Sequence, residues 1–156
     1  MKGTTAALLA ILLIFCACVT ANAQGTEWET LNQEVMSLYK QGRYDGAVVV
    51  ARKALHVAEQ AVGPNHADVA ASLNNLAFLY MTLGRYTEAE PLYKRSLAIA
   101  EKALGPNHPD VAQALGNLAS LYTNQGQYAQ AEPLYNRSLA VREKALGPSH
   151  PDVAQS

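Results

Sequence analysis

The sequence predicts an all-α chain, a solenoid of stacked antiparallel helix pairs, and three observations carry that prediction. Landmark residues recur every 42 positions: Gly42, Gly84 and Gly126; Tyr44, Tyr86 and Tyr128; Gly63, Gly105 and Gly147; His66, His108 and His150. Apolar residues inside each unit step by three and four, the spacing of a helix face. Each unit is also punctuated twice by glycine, once at its middle and once at its end. Aligned on this period, Val69–Asp110 and Val111–Asp152 share 28 identical residues, while Glu27–Asp68 shares 15 with the second unit. The first copy is the divergent one, as expected for a terminal unit that faces solvent on one side.

The first 23 residues stand apart from this pattern. Lys2 gives a short positive start, Ala6 to Val19 is an apolar run of fourteen, and Ala21-Asn22-Ala23 has the small-x-small form of a cleavage site. Residues 1–23 therefore read as a secretory signal, too short for a comfortable membrane span, with Gln24 first in the mature chain. An alternative is a lipobox-like reading of Phe15-Cys16-Ala17-Cys18, with Cys18 as a lipid-anchored first residue. Phe15 stands where such a box has Leu or Val.

Three units follow, over residues 27–68, 69–110 and 111–152. Within the second, Val69, Leu73, Leu76, Ala77 and Tyr80 define one face of a first helix. Gly84 ends that helix by adopting a left-handed conformation. Thr87 and Glu90 have the spacing of a capping box for the second helix, with Pro91 expected in its first turn. Ala89, Leu92, Tyr93, Leu97 and Ala100 make its apolar face. Gly105-Pro106 stops it. The next helix opens at Asn107-His108-Pro109-Asp110, with proline at the first position and a carboxylate at the positive end of the macrodipole. Residues 151–156 begin a fourth unit without completing it. A frame cut short is the expectation there, with self-association through the uncapped third pair if the chain does end at Ser156.

Composition excludes several functions. The chain of 156 residues is 49% hydrophobic with a net charge of −1, which suits one domain with a core and offers no basic stripe for nucleic acid. Loss of Lys2 with the signal leaves 11 basic and 13 acidic side chains. Both cysteines, Cys16 and Cys18, fall in the signal, so the mature chain is expected to use neither disulfide nor thiol chemistry. His66, His108 and His150 match the ligand number of a catalytic zinc. Ligand nitrogens must converge within about 2.1 Å of the ion, however, and equivalent positions in packed helices lie roughly 9 Å apart. A local bond at the helix start is the expected role. Ser72, Ser96, Ser120 and Ser138 fall on helices with no histidine placed beside them. Without a triad, a phosphate loop or a carboxylate pair, neither an enzyme nor a cofactor site is expected. The sequon Asn136-Arg137-Ser138 falls mid-helix, where chance accounts for it.

The residues Leu73, Leu76, Ala77, Tyr80, Ala89 and Tyr93 resemble the tetratricopeptide repeat. The 42-residue unit, as in GRYTEAEPLYKRSLAIAEKALGPNHPDVA, is similar to the repeats of kinesin light chains. The resemblance runs from Glu27 to the C-terminus and implies a right-handed superhelix. Its concave face would be lined by the first helix of each pair and would bind a peptide or partner protein. The first unit departs from the pattern, with Glu34, Leu38 and Ala51 at the places of Leu76, Tyr80 and Tyr93. A signal segment ahead of such repeats resembles bacterial exported proteins, so a periplasmic or extracellular location is expected.

In relatives the concave face carries asparagines, whose amides can both donate to and accept from a peptide backbone. The resemblance places Asn75 and Asn117 there, with Gln33 in the first unit. Asn32, Asn74, Phe78, Met81, Gln113, Ser120 and Asn124 are expected to share that face, with Lys40 its one basic residue. The leading expectation is a non-enzymatic interaction module. The alternatives are the front end of a larger repeat protein with an effector domain such as a protease, and a self-assembling structural protein.

Overall fold

The computed structural model describes residues 27–146. The predicted signal, with Cys18 in it, lies outside them, as do His150 and the start of the fourth unit. Six helices are described: α1 over residues 27–40, α2 Tyr44–Val62, α3 Ala67–Thr82, α4 Tyr86–Leu104, α5 Pro109–Asn124 and α6 Tyr128–Leu146. They pair as α1/α2, α3/α4 and α5/α6.

The turn inside each pair is set by glycine. Gly84 has φ 71, the left-handed region that a Cβ disfavours. It lets Arg85 N–H reach back to the Tyr80 carbonyl at 2.8 Å while Gly84 N–H bonds Met81 O at 3.0 Å. The first of these bonds recurs from Arg43 to Leu38 at 2.9 Å and from Gln127 to Tyr122 at 2.8 Å. The last carbonyls of α1, α3 and α5 are thus satisfied before the chain reverses.

Between pairs, the histidines act as N-caps, as the sequence suggested for them. His66 Nδ1 accepts from Asp68 N–H at 3.3 Å, and His108 Nδ1 accepts from Asp110 N–H at 3.2 Å. Pro109 occupies the first turn of α5. The second helix of each pair starts differently from expectation. α4 begins at Tyr86 with Arg85 as its N-cap and no side-chain cap bond, so the Thr87–Glu90 capping box does not form. Arg85 Nε instead donates to Glu88 at 2.8 Å, and Glu90 turns to Lys94 at 2.7 Å. The glycine turn is tight enough to start the helix two residues early. Pro91 consequently lies inside α4 rather than in its first turn, and Pro133 lies likewise inside α6. Each leaves one backbone carbonyl without its helical donor, and Pro91 and Pro133 are both exposed.

Packing places α3 and α5 in an inner layer and α2, α4 and α6 in an outer one. Helix α3 touches α2, α4 and α5, whereas the outer helices do not pack on one another. That is why α3 buries more than one stripe: Ala70, Ser72 and Leu79 are covered together with the predicted Val69, Leu73, Leu76, Ala77 and Tyr80. Leu73 and Leu115 are fully enclosed, each contributing about 1.5–3 kcal/mol of apolar burial. In α4 the buried face includes Ser96 and Ile99. Ser96 Oγ donates to Ala70 O at 2.7 Å, and Ser138 Oγ repeats this to Ala112 O at 2.7 Å. These bonds tie the two helices of a pair together. They also commit the serine of the sequon to the interior.

The gap between outer helices is spanned by long ion pairs. Arg95 meets Glu59 at 2.7 Å, and one period later Arg137 meets Glu101 at 2.5 Å. Lys53, the first-unit counterpart of Arg95, pairs with Glu27 at 3.1 Å. Such exposed pairs contribute little stability, on the order of 0–1 kcal/mol.

Candidate functional site

The exposed side of the inner layer carries most of the residues expected to line a groove, and it is not uniform along its length. Three depressions open on it. The first lies on α1, among Asn32, Gln33, Met36, Ser37 and Lys40. The second, between α1 and α3, is apolar and formed by Val35, Met36, Tyr39, Asn75, Phe78 and Leu79. The third lies between α3 and α5 against the end of α4. Asn74, Asn75 and Gln113 line it, with Ala67, Ala70, Ala71, Ser96, Ala100, Leu104, Asp110 and Ala114.

The asparagines are linked from unit to unit. Asn117 Nδ2 donates to Asn74 Oδ1 at 2.8 Å, and Asn75 Nδ2 lies 3.5 Å from Asn32 Oδ1. Asn32 in turn donates to the Trp28 carbonyl at 3.0 Å. Asn75 is exposed and Asn117 half-buried, so Asn75 presents its amide more fully to solvent. Gln33, Gln113 and Asn124 are exposed as well. Two of the expected residues are engaged by the scaffold. Ser120 is within 3.0 Å of the Tyr135 hydroxyl, and half-buried Met81 packs on the main core.

Met36 and Tyr39 belong to the same face and were not among the residues singled out from the sequence. The period would have found them, since they stand one unit before Phe78 and Met81. Met36 is 54% exposed and Phe78 39%, and the two line one depression. Tyr39 lines the same depression, its ring centroid 5.5 Å from Phe78 and 5.4 Å from Tyr44. In the third unit the equivalents of Met36 and Tyr39 are Ser120 and Thr123. The face therefore grades from aromatic and thioether at α1/α3 to amide and hydroxyl at α5. Its charges are sparse: Lys40 at one end and Asp110 near the other.

The opposite side carries its own polar network. Arg52 donates to the Tyr80 hydroxyl through Nε at 2.9 Å and also through Nη2, and the Arg85 guanidinium lies 4.7 Å above the Tyr80 ring. One period on, Tyr122 donates to Glu90 at 3.1 Å. The Lys94 ammonium, assisted by this phenol, holds the Glu90 carboxyl below the usual carboxylate range. Among the described residues no group of three or more His, Cys, Asp and Glu side chains is placed to hold a metal ion. No described helix is long and apolar enough to cross a membrane.

An α-solenoid of 42-residue pairs, with a graded inner face and an ion-paired outer one, is the architecture of a helical-repeat protein. The chain belongs to the tetratricopeptide repeat family: one profile of the family matches residues 68–144 and 110–156, and a second matches residues 29–68. Among solved structures it is similar to BtubC (BKLC) from P. vanneervenii, at 26% identity and a TM-score of 0.70 over 80% of this chain and 49% of that one. A kinesin light chain-type protein from P. anserina with nearly identical TPR-like repeats aligns at 25% identity and a TM-score of 0.74, over 83% of this chain and 61% of that one. The TPR domain of Arabidopsis FLU shares the fold at 20% identity, a TM-score of 0.67, and 78% and 98% coverage. This chain thus spans about half of the first relative and about three-fifths of the second. No curated protein matches it. Repeats of this family generally mediate protein–protein interaction.

Proposed function

We propose that this chain is a non-enzymatic docking module that holds an extended peptide segment of a partner protein along its inner face. The carrying observation is the row of amides on that face, with Asn75 exposed between an apolar depression and a polar one. An extended segment carries alternating backbone donors and acceptors, and a row of amides can satisfy both. The Met36–Tyr39–Phe78 patch would take an apolar side chain of the segment. The near absence of charge favours a neutral stretch over an acidic tail. We further propose that the module is exported, on the strength of the residue 1–23 pattern.

Selection of displayed random peptides against the chain tests the docking reading. Enriched peptides should lose at least tenfold in affinity when Asn75 and Asn117 are both replaced by alanine, with the helical circular dichroism unchanged. Equal affinity for the double variant would remove the amide row from the mechanism. Intact mass of the protein from its native cell envelope tests export. A species starting at Gln24 supports it, one retaining Met1 refutes it, and one starting at Cys18 with added acyl mass makes the module membrane-anchored.

A further inference from the structure

We infer that the depression between the second and third helix pairs is a binding seat for a planar aromatic ligand of indole size carrying an N–H donor. The molecule contains its own template for this. Trp28, on α1, packs against the clusters containing Ala54 and Val57 and containing Ala58 and Ala70, and its indole N–H donates to Ser72 Oγ at 2.8 Å. Advance three of these positions by 42 residues, and they fall on the walls of the depression: Ala54 becomes Ser96, Ala58 becomes Ala100, and Ser72 becomes Ala114. The occupant itself, Trp28, becomes Ala70. The same cleft is thus built twice, filled by an indole in one place and vacated by alanine in the next.

The vacated space is about 220 Å³. A cavity of about 150 Å³ in another protein admits benzene, so an indole ring is within range. Four alanines, Ala67, Ala70, Ala100 and Ala114, are among the lining residues, and their small side chains leave room for the faces of a ring beside the polar groups. The Asp110 carboxylate and the Gln113 amide stand at the lining and can accept from a ring N–H, replacing the acceptor lost when Ser72 becomes Ala114. An exposed carboxylate at that point disfavours an anionic ligand. The seat is a small-molecule site and does not depend on peptide docking along the groove.

Indole is the probe. Titrated into the full chain and followed by amide NMR, it should give saturable shifts centred on Ala70, Ser96, Ala100 and Ala114, with a dissociation constant of about 1 mM or tighter. Ala70→Trp should abolish those shifts by filling the seat as Trp28 fills its own. Where that variant fails to fold, Ala114→Leu, which narrows the seat from α5, should weaken binding at least tenfold. Absence of saturable shifts in the wild-type chain overturns the inference. So do shifts centred elsewhere, or undiminished binding in whichever of the two variants folds.

Discussion

Replacing Tyr93 by phenylalanine should stabilise the chain, an unusual direction for a change in a fully enclosed residue. The Tyr93 ring is completely buried and its hydroxyl has no partner among the described residues. Tyr135, its counterpart one unit later, has one, since Ser120 lies within 3.0 Å. The difference traces to a single position: Phe78 stands where Ser120 stands in the next unit. A buried hydroxyl left unpaired costs about 1–3 kcal/mol. Removing its oxygen opens a void of roughly 15 Å³, which returns about 0.4 kcal/mol of that. Tyr93→Phe should therefore gain about 1 kcal/mol, while Tyr135→Phe should lose about 1 kcal/mol with its hydrogen bond. Urea titrations followed by far-ultraviolet circular dichroism would place the two midpoints on opposite sides of wild type. Phe78→Ser should supply the missing partner, so that Tyr93→Phe becomes destabilising in that background. Equal losses from Tyr93→Phe and Tyr135→Phe in the wild-type chain would refute the reasoning.

The same burial raises the Tyr93 phenol well above its ordinary pKa. The folded state then holds this proton more tightly than the unfolded state, so stability present below about pH 10 is lost as pH rises further; alkaline unfolding should move to higher pH in Tyr93→Phe. Glu90 works in the opposite sense. Its lowered pKa contributes stability above the ordinary carboxylate range that disappears on acidification, and Tyr122→Phe should raise the Glu90 pKa in a carbon-detected NMR titration. Gly84→Ala forces an L side chain into the left-handed region and should cost about 1 kcal/mol in thermal or urea unfolding. Ser96→Ala removes the bond to the Ala70 carbonyl and should cost about 0.5–1.5 kcal/mol by the same measurement.

Features written locally and repeated were legible before the fold was known. Gly84 and Gly126 announced the turns, and His66 and His108 sat before acidic residues at helix starts, where their imidazoles do cap. The Thr87–Glu90 spacing misled because a capping box needs a free helix start, and the glycine turn had already begun the helix at Tyr86. Burial of Ser96 and Ile99 was hidden for a different reason. Their partners lie on another helix, 26 residues away in the case of Ser96 and Ala70, and no local period encodes such a pairing. On the inner face, the amides were found by resemblance, whereas Met36 and Tyr39 were passed over because the first unit is the divergent one. The role of Trp28 was invisible in one dimension, since what makes it informative is the vacancy at Ala70.

The outer ion pairs have a consequence beyond their small energy. Glu59–Arg95 and Glu101–Arg137 are the same contact copied, and each unit carries an acidic half on one flank and a basic half on the other. Duplicating such a unit in a gene creates an interface whose two sides already match, and a shift by one helical turn would part each arginine from its carboxylate. Length can then change by whole units under selection while the joint between neighbours stays the same, so a binding surface of this kind can be extended without being reinvented.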